Sequence, residues 1–176
     1  RIKELRQYMK APNFGLPGGM GVAKFLLLAQ KQYKIPGLGM SDARSWKEGW
    51  MRTWPEAPLY LKHIGDQTQR GGLFEAVQHR SGRRRGGVGY ADGANTFFQG
   101  LTADGAGLAL INVQREAWLD KDSPIYGARV WGFVYDELLL EIPDRGPAAN
   151  TACMARVAEI MKLSMEVFTP DVPATI

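Results

Sequence analysis

The sequence predicts an α+β fold, and three observations lead there. The first half carries apolar residues at helical spacing, cut by Gly and Pro. Two short stretches, at 71–87 and 130–142, read as β-hairpins, the second of them rich in branched and aromatic residues. Long helical patterns flank that second hairpin, so helices would cover one face of a small antiparallel sheet.

Taken in order, "RIKELRQYMK" (1–10) can form one helix, and "GVAKFLLLAQKQY" (21–33) a second, ended by "KIPGLG". Ser41 is the expected N-cap of a third over 42–54, because its hydroxyl can accept an unpaired amide hydrogen. Pro55 and Pro58 introduce a short helix over 59–69. In 71–87 "LFEAV" alternates weakly and "SG" signals a turn, so a short hairpin is expected. A long helix follows over 92–119, with Phe98, Leu101, Leu108, Ile111 and Val113 on its apolar face. After a loop at 120–124 come two strands read as buried, Val130 to Val134 and Leu138 to Ile142. The final helix, 146–167, spaces Ala155, Ile160, Leu163 and Val167 to pack on the sheet.

The bulk numbers set limits. At 176 residues and 45% apolar content the chain can bury a core in one domain or two small ones. A net charge of +4 and a pI near 9.3 permit a polyanionic partner. One cysteine, Cys153, excludes an internal disulfide, and only two histidines argue against a Cys/His metal cluster. No apolar run reaches the roughly 18–20 residues that span a bilayer. No signal peptide opens the chain, so the expected setting is a reducing, soluble compartment without membrane contact. The start, inside a helical pattern and without Met, reads as a piece of a longer protein.

Two stretches carry chemistry. In "FVYDELLLEIP" (133–143) the acids Asp136 and Glu137 interrupt an apolar run. Tyr135 and Leu138 press apolar bulk on both sides, and a carboxylate desolvated in that way needs a compensating charge. Magnesium would supply it, since Mg²⁺ binds through one or two carboxylates plus substrate phosphates. In "RQYMKAPNFGLPGGMG" (6–21) Arg6, Lys10 and Phe14 recur every four residues. On a helix they stack along one face at steps of about 6 Å. Arg offers phosphate a bidentate fork and Lys a point charge. Pro12 opposes this helix, because it removes an amide hydrogen that Tyr8 would accept; local rules break the helix near Ala11.

These two stretches, with "ANTFFQGLTADGAGLAL" (94–110) between them, resemble the family A DNA polymerases, the group of bacterial polymerase I and its phage relatives. The first block resembles the fingers-helix motif Arg-x-x-x-Lys-x-x-x-Phe-Gly. The middle block is similar to a palm-helix motif with Asn a turn before Gln-Gly, and the last to the palm hairpin motif, usually Val-His-Asp-Glu. The order matches, and the blocks together cover most of the chain. The resemblance implies a fingers-like helical subdomain over 1–88 and a C-terminal palm subdomain over 89–176, with a palm-type antiparallel hairpin packed on helices. It implies template-directed DNA synthesis from dNTPs on a primer–template by a two-metal mechanism.

Residue by residue, Arg6 and Lys10 match the positions that hold the incoming triphosphate, and Phe14 the aromatic position beside the nucleotide sugar. Asp136 matches the metal-binding aspartate and Glu137 its acidic neighbour; these two, with Lys10, form the implied catalytic set, with Mg²⁺ as cofactor. Asn95 and Gln99 match residues in the primer–template minor groove, where an amide can check pair shape through acceptors common to all base pairs. Arg83 sits in a turn similar to the family's Gly-Arg turn near the template–primer, which implies a DNA-binding role for it; Arg84 and Arg85 would add phosphate contacts, and Tyr135 would reach a primer phosphate.

Departures are specific. Tyr135 stands where histidine is usual, Gly18 where bacterial members have tyrosine, and Ala91 where many have arginine. "PGG" looks like a phage-type variant. The motif resembling Asp-x-Ser-x-x-Glu, which carries the second catalytic aspartate, does not occur in these residues. An upstream half with that aspartate and the thumb is therefore an implied partner, and the chain alone is expected to be inactive. The implied setting is the cytoplasm of a bacterial or phage-infected cell. Two other readings stand beside this one: a single-subunit RNA polymerase, which shares the Arg/Lys helix but usually lacks the Glu, and a non-catalytic nucleic-acid-binding module derived from a polymerase.

Overall fold

A computed structural model describes residues 2–135 and 137–174, with the side chain of Arg70 outside the description. The fold is α+β. Helices α1 (Ile2–Gly15), α2 (Val22–Lys31), α3 (Met40–Thr53) and α4 (Ala57–Gln67) precede a hairpin of β1 (Phe74–Val77) and β2 (Arg84–Val88). Helix α5 (Tyr90–Leu119), a second hairpin of β3 (Arg129–Val134) and β4 (Glu137–Glu141), and α6 (Pro147–Glu166) follow. Each hairpin is a separate two-stranded antiparallel sheet. No helix among the described residues is long and apolar enough to cross a membrane.

The chain forms two compact units, residues 1–77 with 84–98 and residues 78–83 with 99–176. The division falls within α5, after Phe98.

In the first unit α1, α2 and α3 close around Leu16, Phe25, Ala29 and Ala43, all fully buried. Phe25 meets Trp46 at 6.4 Å between ring centroids. Helix α1 does not break near Ala11. It runs through Pro12 to Gly15, because Ala11 and Pro12 are both buried in this core and the Leu16 amide donates to the Pro12 carbonyl at 3.0 Å. Packing of an apolar face outweighs the hydrogen bond that proline removes. Ser41 is not the N-cap of α3. The helix starts at Met40 behind Gly39, whose amide donates to Asp42 Oδ2 at 2.9 Å, so the acid three residues on does the capping.

A second cluster in this unit joins Leu61 and Ile64 of α4 to Ala94 of α5, with Tyr60, Phe74 and Phe97 against it. The Tyr60 hydroxyl donates to the Ala94 carbonyl at 2.8 Å. Burial, with Tyr90 nearby, pushes its pKa up to about 12, so it remains a donor at any ordinary pH. Gly93 permits this packing: a Cβ there would lie 2.8 Å from the Phe74 ring.

In the second unit the core runs between α5, α6 and one face of the β3–β4 sheet. Val113, Ala117, Ile125, Ala128, Val157 and Ile160 are buried, and Val130, Leu138, Leu140 and Ile142 pack against them. An isolated two-stranded hairpin is marginal in water, so this helical cover is what holds the sheet. The strands are not buried on both faces as the sequence led us to expect. Trp131 is 72% exposed, and Phe133 and Val134 are also exposed. A register shift between Val130 and Gly132 sets Trp131 outward.

The helix faces differ from expectation too. On α5 Ile111 and Phe98 are exposed, and the buried line is Gly105, Ala109, Val113 and Ala117, each four residues from the last. A Cβ on Gly105 would lie 2.8 Å from Met165, so small residues there let α5 and α6 approach closely. On α6 only Ile160 of the four expected residues is buried; Cys153, Val157 and Ser164 complete the line. Arg156 ties this pair of helices through two bonds of 2.8 Å to the Glu116 carboxylate, which also accepts from Ser123 at 2.6 Å.

Candidate functional site

Helix α1 sorts its residues by chemistry. Ala11, Pro12 and Gly15 face the core, while Arg6, Lys10 and Phe14 are exposed along the opposite side. Phe14 is 69% exposed, so it is not a core aromatic. Neither Arg6 nor Lys10 has an ion-pair partner among the described residues. Two cations and an aromatic therefore stand in line, about 6 Å apart by helix geometry and open to a ligand. Such a line can take successive phosphates and an apolar sugar face.

The end of α1 explains its Gly-Gly. Gly19 has φ of 72°, and a Cβ there would lie 2.6 Å from the Tyr90 ring. A Cβ on Gly18 would lie 2.9 Å from the Asn95 amide. The two glycines thus let the turn after α1 close onto the first turns of α5. This brings Asn95 beside the end of α1 and fixes its amide, which donates to the Ala91 carbonyl at 2.9 Å. Tyr90 was missed in the sequence; the paired glycines after a helix were the available signal.

Gln99 lies on α5 one turn after Asn95, with its side chain exposed. The arginines of "SGRRRGG" divide by partner. Arg83 Nε donates to Asp104 at 2.6 Å, and its Nη2 to the Gly100 carbonyl at 3.2 Å. Ser81 donates to the other Asp104 oxygen at 2.6 Å. Arg83 therefore fastens the hairpin loop to α5. Arg84 pairs with Glu75 at 2.9 Å, while Arg85 donates to the Thr96 hydroxyl at 2.8 Å and has no ion-pair partner among the described residues.

At the second hairpin Val134 pairs with Glu137, so Glu137 already belongs to β4 and is not a turn residue. Tyr135 follows Val134 with φ of 58° and is 93% exposed. Its ring lies in solvent and does not desolvate Glu137, contrary to the expectation from sequence. Asp136 lies outside the described residues. Glu137 is exposed and accessible to a cation. Among the described residues no group of three His, Cys, Asp or Glu could hold a metal ion. The donor chemistry of an Asp-Glu pair still fits magnesium, which needs few protein ligands when phosphates and water complete its shell.

Compared with known proteins, the chain matches no family model, and no curated protein is significantly similar to it.

Proposed function

We propose that this chain is the fingers and C-terminal palm portion of a family A template-directed DNA polymerase, acting in the cytoplasm. The observation that carries the reading is the exposed line Arg6–Lys10–Phe14 on a single helix, with both cations unpaired among the described residues. It is supported by the order of the three motif blocks and by Glu137, next to Asp136 in sequence, at the start of β4.

On this reading α1 receives the dNTP. Arg6 forks onto phosphate oxygens, Lys10 adds a point charge, and Phe14 packs on the sugar. Asn95 and Gln99 sense the minor groove of the new pair, and Arg84, Arg85 and Tyr135 hold backbone phosphates. The primer 3′ oxygen bonds to the α-phosphorus, the bond to the bridging oxygen breaks, and pyrophosphate leaves. Arg6 and Lys10 neutralise the charge that grows on the departing phosphates and keep the groups in line. Asp136 and Glu137 would hold Mg²⁺, which when bound supplies further charge neutralisation at the phosphates. Two metal ions need another carboxylate, so an upstream half carrying an aspartate is the proposed partner.

Primer extension tests this. The chain is mixed with the segment encoded upstream of it, Mg²⁺, primer–template and four dNTPs. Extension is expected in the mixture, absent from the chain alone, and lost with Asp136→Ala. Undiminished extension by the Asp136→Ala mixture sinks the metal role. A mixture that binds DNA with normal salt sensitivity yet never extends a primer favours the non-catalytic module, to which the unpaired cations of α1 would equally belong.

A further inference from the structure

Tyr90 heads α5 and belongs to none of the three motif blocks. Its ring is met at opposite edges by two glycine backbones. A Cβ on Gly19 would lie 2.6 Å from both Cε1 and the hydroxyl, and one on Gly65 of α4 would lie 3.8 Å from Cε2. The residue is nevertheless 38% exposed. With its two edges against glycines, its open surface includes a ring face. The nearby aromatics are committed elsewhere. Trp50 packs on the core beside α1 and gives its indole N–H to Asn13 at 3.3 Å, and Tyr60 gives its hydroxyl to the Ala94 carbonyl.

We propose that Tyr90 is the stacking platform for the base of a bound nucleotide, an inference that rests on the phosphate reading of the Arg6–Lys10–Phe14 line. A nucleotide has a fixed order of phosphates, sugar and base. With phosphates on Arg6 and Lys10 and the sugar on Phe14, the base extends past Phe14 toward the turn at Gly18 and Gly19. That turn carries no side chain at two successive positions, so a planar ring can approach its backbone. The aromatic group standing against the turn is Tyr90. Stacking suits a site that accepts every base, because each base has a π-face. Asn95 supplies a polar partner. Its amide lies beside Gly18, gives one N–H to the Ala91 carbonyl at 2.9 Å and keeps a second for a base acceptor.

The test is isothermal titration calorimetry of the whole chain with Mg²⁺ and either dATP or inorganic tripolyphosphate, which has no base to stack. The wild type should bind dATP more tightly. Tyr90→Leu keeps apolar bulk against Gly19 but has no π-face, and should weaken dATP about tenfold, within the range for loss of one stacked base. Its affinity for tripolyphosphate should stay within about twofold of wild type, which also shows that α1 is still presented. Tyr90→Phe should bind both ligands like wild type.

Unchanged dATP affinity in Tyr90→Leu overturns the proposal. An equal loss on both ligands also does, since it marks a residue that only holds the turn. So does a Tyr90→Phe variant as weak as Tyr90→Leu, which removes the ring as the cause. A wild type that binds the two ligands equally ends the base site and leaves the phosphate line standing. A wild type that binds neither ends both. The expected pattern in a chain that never extends a primer with its upstream segment keeps the base site and ends the polymerase reading.

Discussion

The two units treat charge in opposite ways. The first holds fourteen Lys and Arg against seven Asp and Glu, the second eight against eleven. The chain's modest net charge of +4 therefore hides a basic unit and an acidic one. Pairing differs as well. In the second unit Arg83 is engaged by Asp104, and Arg156 by Glu116 and Glu159. In the first, the cations of α1 have no ion-pair partner among the described residues. Internal ion pairs hold structure; unpaired, exposed cations are available to a ligand. The difference teaches that the first unit is the one suited to phosphate, and that the arginines of the second serve chiefly to tie helices and loops together.

The comparison breaks first at α1. Lys10→Ala, measured by steady-state extension with the reconstituted protein, should lower synthesis about 100-fold or more, the size seen when one preorganised charge-stabilising group is removed. A change under twofold would mean the line carries no phosphate. The next effect concerns the turn that presents α1. Gly19→Val places a branched side chain at φ of 72° and against the Tyr90 ring, so urea denaturation should register a loss of about 2–4 kcal/mol.

The second unit should respond through stability instead. Arg156→Ala leaves the partly buried Glu116 carboxylate with only Ser123, and should cost about 1–3 kcal/mol with little effect on phosphate binding. Its pH dependence has a definite sign. The hydrogen bonds from Arg156 first, and Ser123 after it, hold Glu116 below the usual carboxylate range against the opposing effect of burial. A pKa lowered on folding gives stability in full above the unfolded value and loses it as pH falls through the folded one. Glu116→Gln should therefore cost most near neutral pH, and its gap from wild type should close on acidification below about pH 4. A gap that widens in acid contradicts the pairing. The smallest effect belongs to Lys62→Ala: its exposed pair with Asp66 should be worth less than about 0.5 kcal/mol by thermal melting.

The sequence made element type and order readable, because apolar period and Gly/Pro punctuation are local signals. Both hairpins and every long helix but α1, which runs past its expected break near Ala11, lie close to where the pattern puts them. Burial was less legible. Leu163 and Ile111 look like core residues by hydrophobicity, yet Gly105, Ala109 and Ser164 take the inner positions, since close helix approach rewards small volume over apolar character. Pro12 misled for a related reason: a lost hydrogen bond is local, and the packing that outweighs it is not. Of the candidate site, four-residue spacing put Arg6 and Lys10 on one helix face, and Phe14 joins them only because the helix continues through Pro12. The exposure of Tyr135 beside Glu137 was not legible, because nothing in the sequence revealed that Tyr135 turns into solvent. The partners of Arg83 on α5 lie some twenty residues away and left no readable motif.

The most direct test of the phosphate-handling assignment is backbone NMR of the whole chain titrated with dATP and Mg²⁺. The account predicts that shift changes concentrate on α1, at Arg6, Lys10 and Phe14, and vanish in Arg6→Gln/Lys10→Gln. Shift changes confined to the second unit, or unaffected by that double substitution, would contradict it.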